Sequence, residues 1–361
     1  MKKIFWRSTL LCMFTAFIFS ACSDDDDKKP GIDTSSGYGA YVLNNGQMNT
    51  NSASVSWFSI DENKMTENVF RTTNGIGLGE LGQDVLEYGS KLYITVQSSG
   101  VIYVTDKNLK VISTIKTDNE GNSILPRYMK THNGKIYLTL FDKYLARIDT
   151  TSLTIDAKIE TGPNPEMLEI INNKIYVANS GGLNETPNNT VSIVNLELTS
   201  KTDIEVVSNP VELKKDKNNN LYLVSRGNYT TIPNTLQQIN TTTNEVTVLD
   251  KGRSFSIFPI DDKLWILNKG YDESNNWAPY SSFLYYDINA KKIVDESFIT
   301  DGTTYPDISY MTKEPVSGDY YVLVANGTNN GDLCIFSSAG KFKSKYDTGS
   351  TFPIGVYFMK K

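Results

Sequence analysis

A short apolar run of the form Leu/Ile-Tyr-Ile/Val/Leu returns seven times along this chain, and few folds can be built on such a repeat. The copies are Ala40-Tyr41-Val42-Leu43, Lys91-Leu92-Tyr93-Ile94, Lys135-Ile136-Tyr137-Leu138, Lys174-Ile175-Tyr176-Val177, Asn220-Leu221-Tyr222-Leu223, Lys263-Leu264-Trp265-Ile266 and Tyr320-Tyr321-Val322-Leu323. A spacing of roughly 40 to 60 residues is that of four-stranded blades; helical solenoid repeats are shorter and carry a 3.6-residue period, which is missing here. The repeat predicts an all-β fold, a seven-bladed β-propeller.

The chain ends predict how such a ring closes. Phe352 to Met359 forms one lone strand with nothing after it, while the first blade offers only three strands: Ala40 to Asn44, Ala53 to Ile60 and Lys64 to Phe70. If the C-terminal strand becomes the innermost strand of that blade, both open edges pair and no ladder group is left exposed. Within the blades, Asn133-Gly134 and Asn172-Asn173 precede Tyr-bearing strands as two-residue turns that accept positive φ. A second alternating strand follows each repeat: Val101 to Asp106, Leu145 to Asp149, Val191 to Asn195, Leu236 to Asn240, Leu284 to Asp287 and Leu333 to Phe336.

Residues 1–21 read as a lipoprotein signal peptide: Lys2, Lys3 and Arg7, an apolar stretch from Leu10 to Phe19, then Phe19-Ser20-Ala21-Cys22. Cys22 is the expected lipidation site, with an ordinary secretory signal as the plainer alternative. The apolar run falls short of the ~20 residues a spanning helix needs. Residues 22–37, with Asp24 to Asp27 followed by Lys28 and Lys29, are too polar to fold and are expected to be a tether. Removing residues 1–21 takes the net charge from −6 to −9, and the remaining Lys and Arg are scattered, so nucleic acid is not an expected partner. In the mature chain Cys334 has no intrachain partner besides Cys22 and reads as a buried thiol.

In a propeller, the loops between second and third strands and those between blades share one face. Here they are long, covering Asn44 to Asn51, Asn179 to Asn189, Ser225 to Asn234, Asn268 to Ser282 and Ala325 to Asp332; the opposite face has short turns. The Asn268–Ser282 loop carries Tyr271, Trp277 and Tyr280 and is expected to adjoin the loop with Arg226 and Tyr229; Arg127 lies in an inter-blade loop. Rings beside amides suit a bulky neutral ligand; equally, Trp277 could pin its own loop. These six residues form the candidate ligand-binding set.

Catalytic candidates are few. His132 is the only histidine and falls on the short-turn face, so Ser-His-Asp, Cys-His and zinc devices are hard to assemble. Glu80, Glu185, Asp272, Glu273 and Asp307 could pair as a glycosidase acid and base, or be ordinary solvated acids. Asn74-Gly75-Ile76-Gly77-Leu78-Gly79-Glu80 lacks the Lys-Ser/Thr of a phosphate loop. No enzymatic activity, metal or cofactor is expected.

The chain from residue 38 to 361 resembles the YncE-like, surface-layer type of lipoprotein propeller, and within it the corrinoid-binding propellers that partner the outer-membrane vitamin B12 transporter. The resemblance rests on Tyr41-Val42-Leu43-Asn44-Asn45-Gly46 with Ser54-Val55-Ser56-Trp57-Phe58, on Asn74-Gly75 through Leu78-Gly79 to Gln83, on Leu125-Pro126-Arg127-Tyr128 and on Asn164-Pro165-Glu166-Met167. The acidic run behind Cys22 looks like the export signal of surface-exposed lipoproteins of Gram-negative gut anaerobes. The resemblance implies a protein lipid-anchored in the outer membrane, facing the exterior, that binds a corrinoid and passes it to a TonB-dependent transporter. A glycan-binding or adhesive propeller, a carbohydrate hydrolase or lyase and a surface-layer element stay open as alternatives.

Overall fold

A computed structural model of the chain describes residues 37–119 and 122–359. The expected signal peptide, Cys22 and all but Gly37 of the expected tether lie outside the described residues. Seven four-stranded antiparallel sheets make the ring, joined by one two-stranded ribbon, Asp118–Asn119 with Asn122–Ser123. Numbering blades from the N-terminus, the innermost strands are Pro353–Phe358, Gly82–Tyr88, Pro126–His132, Pro165–Ile171, Pro210–Lys215, Ser256–Ile260 and Ile308–Lys313. Each touches the innermost strand of the next blade, and Pro353–Phe358 touches both its neighbours, so the ring is closed.

Closure follows the expected route. The C-terminal strand pairs antiparallel with Gly39–Asn44 through Ala40↔Phe358, Tyr41↔Tyr357, Val42↔Val356 and Leu43↔Gly355. Every sheet is complete within the described residues, so the ring carries its whole ladder. One strand differs from expectation. The third strand of blade one stops at Thr66, and Val69–Asn74 form a short helix in place of the strand expected to run to Phe70. Asn68 at φ 53° turns the chain out of the ladder, Val69 and Phe70 are buried, and Gly75 at φ 71° ends the helix with its N–H on Arg71 O.

The repeated tyrosine does two jobs. Its ring fills the space between blades: Tyr41, Tyr93, Tyr176 and Tyr222 are among the largest fully buried side chains. In three blades its hydroxyl then reaches a turn of the following blade, whereas Tyr222 donates to Asp216 of its own blade at 3.1 Å and Tyr93 Oη is buried with no hydrogen bond. Tyr137 donates to Leu196 O at 2.9 Å, Tyr176 to Thr241 O at 3.3 Å, and Tyr41 to Lys107 O. Leu or Phe would fill the same space without clamping the next blade, which accounts for Tyr at positions 41, 137 and 176. Asn133 and Gly134, and Asn172 and Asn173, all have positive φ, as the two-residue turns require.

Candidate functional site

The innermost strands enclose a central channel of about 660 Å³. Its lining comes from a recurring backbone irregularity. In every blade but the sixth, the innermost strand carries one extra residue just after its first: at Gly82/Asp84, Pro126/Met129, Pro165/Leu168, Pro210/Glu212 and Ile308/Tyr310, and opposite Leu43/Asn44 on the closing strand. A bulge breaks the in-out alternation and re-aims side chains. Consecutive residues therefore face the channel: Gln83 with Asp84, Arg127 with Tyr128, Glu166 with Met167, and Ser309 with Tyr310. Proline opens four of these strands, at 126, 165, 210 and 353, where it fixes chain entry at a position that needs no ladder donor.

Arg127 and Arg226 occupy this channel in opposite conditions. Arg127 is fully engaged: it donates to Glu166 through Nε at 3.1 Å and through Nη2, and to Gln97 at 2.6 Å and Gln83 at 3.3 Å through Nη1. Its guanidinium also lies 4.6 Å from the centre of the Phe141 ring. Arg226 stacks on Phe255 at 3.7 Å, but its Nη1 is buried with no hydrogen-bond partner. Burial pushes the Arg226 guanidinium below its usual range, opposed by Glu212 and more weakly by Glu166. Neither acid is aimed at it: Glu166 accepts from Arg127, and Glu212 accepts from Ser256 Oγ at 2.7 Å.

The loop bearing Arg226 is held rigidly at the channel mouth. Arg226 N and Gly227 N donate to Asn209 O and Ser208 O at 2.8 and 3.0 Å. Asn228 Oδ1 accepts from the backbone N–H of Thr230, Thr231 and Ile232. At Gly227, φ is +67° and a Cβ would meet Ile232 O at 1.8 Å, so only glycine allows this close return. Tyr229 takes φ 62°, and its hydroxyl accepts from Asn209 Nδ2 at 2.8 Å; the side chain is 72% exposed and lines the channel.

Tyr271, Trp277 and Tyr280 do not line the channel. Asn268–Ser282, expected to be a loop, is instead a projecting hairpin: Lys263–Asp272 pairs with Ala278–Asp287 down to Asp272↔Ala278, because Asn268↔Ser282, Lys269↔Ser281 and Gly270↔Tyr280 extend the ladder. The Tyr280 ring lies over Gly270, where a Cβ would come within 3.1 Å of its hydroxyl. Trp277 sits at the tip with φ 58° and is 61% exposed, so it does not pin the loop onto a blade edge; Tyr271 and Tyr280 are 67% and 41% exposed. The hairpin still adjoins the Arg226 loop as expected. Lys269 lies 4.7 Å from the centre of the Phe255 ring on which Arg226 stacks, and pairs with Asp307 at 2.5 Å.

Other lining groups escaped the sequence reading. Asp84 accepts from Met129 N at 2.9 Å and from Tyr357 Oη at 3.3 Å, and burial pushes its carboxyl up to about 6 against that N–H and Lys130 and Lys214. Burial likewise pushes Tyr310 up to about 12 and Tyr128 and Tyr357 higher still. For the ring that includes Tyr357, though not for Asp84, Tyr128 or Tyr310, a signal was present. Leu86, Lys130, Glu169, Lys214, Phe258, Thr312 and Tyr357 are the cross-strand partners of the seven repeated aromatic residues, so each repeat names one residue of the inner ring.

Of the five acids considered for catalysis, three hold local structure, while Glu185 and Glu273 are exposed. Glu80 accepts from Asn49 N at 2.7 Å, Asp272 caps Ser274 N at 2.9 Å, and Asp307 pairs with Lys269. His132 ends its strand on the short-turn face. Cys334 is buried, its thiol pushed up to about 11 by desolvation. Among the described residues no group of His, Cys, Asp and Glu is placed to hold a metal ion.

Solved structures share the fold at low identity. A candidate 6-phosphogluconolactonase from Bacteroides fragilis superposes with TM-score 0.62 at 14% identity, covering 91% of this chain and 100% of the other. A computationally designed protein, Ika8, gives 0.54 at 9% identity over 88% and 96%, and the hydrazine synthase of Kuenenia stuttgartiensis 0.56 at 14% over 69% and 74%. A comparison with curated proteins finds no match. Residues 38–358 match the family described as a domain of unknown function, DUF5074, and the chain belongs to that family.

Proposed function

We propose that this protein is a non-catalytic binding propeller that captures a bulky, oxygen-rich small molecule over the long-loop mouth of its channel. The observation that carries this reading is Arg226, a stacked guanidinium with a buried donor left unpartnered on Nη1. An unmade buried hydrogen bond costs about 1–3 kcal/mol, and a ligand that supplies the acceptor recovers it. The loop around Arg226 is already fixed, so little order is lost on binding.

The chemistry of the acceptor follows from the surrounding charge. Glu166 and Glu212 already place negative charge near Arg226 without bonding to it, so a neutral carbonyl suits Arg226 better than a further carboxylate. A channel of about 660 Å³ takes a side arm, not a large macrocycle, so the body of such a ligand would rest on the mouth against Tyr229 and the wall formed by the projecting hairpin. A corrinoid, a broad disc edged with amides, has this shape and chemistry and is the ligand the sequence resemblance implies. In this reading the ring is lipid-anchored through Cys22 on the outer surface and passes its cargo to a TonB-dependent outer-membrane transporter. The exposed rings of Tyr271, Trp277 and Tyr280 favour a second reading, a glycan held on the hairpin.

Isothermal titration of residues 37–361 with cyanocobalamin separates the two. Saturable binding weakened about tenfold or more by Tyr229→Ala or Phe255→Ala, and unaffected by Trp277→Ala, is the expected result. No heat with cyanocobalamin, together with a glycan-array signal abolished by Trp277→Ala, would move the function to the hairpin.

A further inference from the structure

The other end of the channel has a different chemistry. There a second cavity, about 440 Å³, is lined by Leu86, Lys130, Thr131, Glu169, Ile170, Lys214, Lys215 and Pro259, and it shares Leu86, Lys130 and Lys214 with the channel. Its volume lies in the range of small-molecule sites. Lys130, Glu169 and Lys214 are cross-strand partners of Tyr137, Tyr176 and Tyr222, so three successive blades deliver them at one level.

Two of these side chains have unmet hydrogen-bonding capacity. Glu169 is only 3% exposed; its Oε1 accepts from Lys130 Nζ at 2.6 Å, while Oε2 is buried with no hydrogen bond. Lys214 is half-buried and makes no hydrogen bond or ion pair among the described residues. Lys215 anchors to Ile170 O at 2.9 Å through one of its donors. Three ammonium groups and one carboxylate therefore line the cavity, with the buried Asp84 carboxyl in the adjoining channel near enough to act on Lys130 and Lys214, in a chain whose overall charge is −6. A ligand that completes this set needs an anionic group for Lys214 and Lys215 and a hydroxyl donor for Glu169 Oε2.

We propose that this short-turn mouth is a second ligand site, independent of the long-loop site, for a hydroxylated anion: a sugar acid or a sugar phosphate. The anion sits between Lys214 and Lys215, and a hydroxyl donates to Glu169 Oε2. The site is reached from the face opposite Arg226, so both ends of the ring can be occupied together.

Titration of residues 37–361 with D-gluconate and with glucose 6-phosphate tests this, with glucose and inorganic phosphate as controls; the tighter of the first two names the anion. Binding of at least one sugar anion, about tenfold tighter than inorganic phosphate and than glucose, is expected. Lys214→Gln should weaken it about tenfold, and Glu169→Gln should weaken the sugar anion while leaving inorganic phosphate unchanged. Should Glu169→Gln fail to fold, Lys214→Gln on the partly exposed side chain carries the test. Inorganic phosphate binding as tightly as both sugar anions, insensitivity to Lys214→Gln, or no binding of either sugar anion overturns the proposal.

Discussion

Replacing each of the two channel arginines with methionine should give different answers. Arg127 donates to Glu166, Gln97 and Gln83, and its removal leaves the Glu166 carboxylate buried without its cation. Breaking a buried pair from one side costs about 3–5 kcal/mol. Arg226→Met instead deletes a donor that nothing accepts, recovering about 1–3 kcal/mol, and gives up stacking on Phe255 worth about 0.5–2 kcal/mol. Methionine keeps an apolar contact on that ring. The terms offset, so Arg226→Met should destabilise the ring by no more than about 1 kcal/mol while removing the ligand's donor. Urea unfolding of residues 37–361 followed by circular dichroism reads this as midpoint shifts at constant slope. If Arg226→Met destabilises the ring as much as Arg127→Met, Arg226 is a structural cation and the argument for a vacant donor fails.

Ending the chain at Phe352 removes the strand that pairs with Gly39–Asn44 and should abolish cooperative unfolding; a compact monomer by size-exclusion chromatography would refute closure through that strand. Asp84, an acid whose folded-state value is raised to about 6, binds its proton more tightly in the folded than in the unfolded chain. Its contribution is therefore favourable below about pH 4 and is lost as pH rises toward 6, by up to about 3 kcal/mol, and Asp84→Asn should flatten that slope in urea midpoints taken from pH 4 to 7. Gly227→Ala, with its Cβ 1.8 Å from Ile232 O, should displace the Arg226 loop and weaken capture at the long-loop mouth about tenfold or more in the cyanocobalamin titration; unchanged affinity would mean the loop is not part of the site. Cys334 should stay unreacted with a thiol reagent at pH 8 until the ring is unfolded.

The fold was legible because one residue type encoded it repeatedly. Tyr41, Tyr93, Tyr137, Tyr176, Tyr222 and Tyr321, with Trp265, mark the second strand of every blade, and the unpaired run at Phe352 to Met359 announced closure. The short helix at Val69–Asn74 was not legible, since Val69 and Phe70 read as strand residues and the turn at Asn68 depends on its positive φ. For the site, loop position found Arg226 and Tyr229 but could not separate them from Tyr271, Trp277 and Tyr280, because the length of the Asn268–Ser282 segment does not reveal that it pairs with itself. Asp84, Glu212 and Tyr310 were missed because a bulge, rather than strict alternation, turns them inward. The difference between a satisfied Arg127 and an unsatisfied Arg226 depends on partners drawn from several blades and has no local signature.

The most direct test of ligand capture at the long-loop mouth is a crystal structure of residues 37–361 grown with cyanocobalamin. The expected structure places the ligand over Tyr229 and Phe255, with an amide oxygen about 3 Å from Arg226 Nη1. A ligand bound elsewhere, with Arg226 Nη1 still unpartnered, would contradict the account.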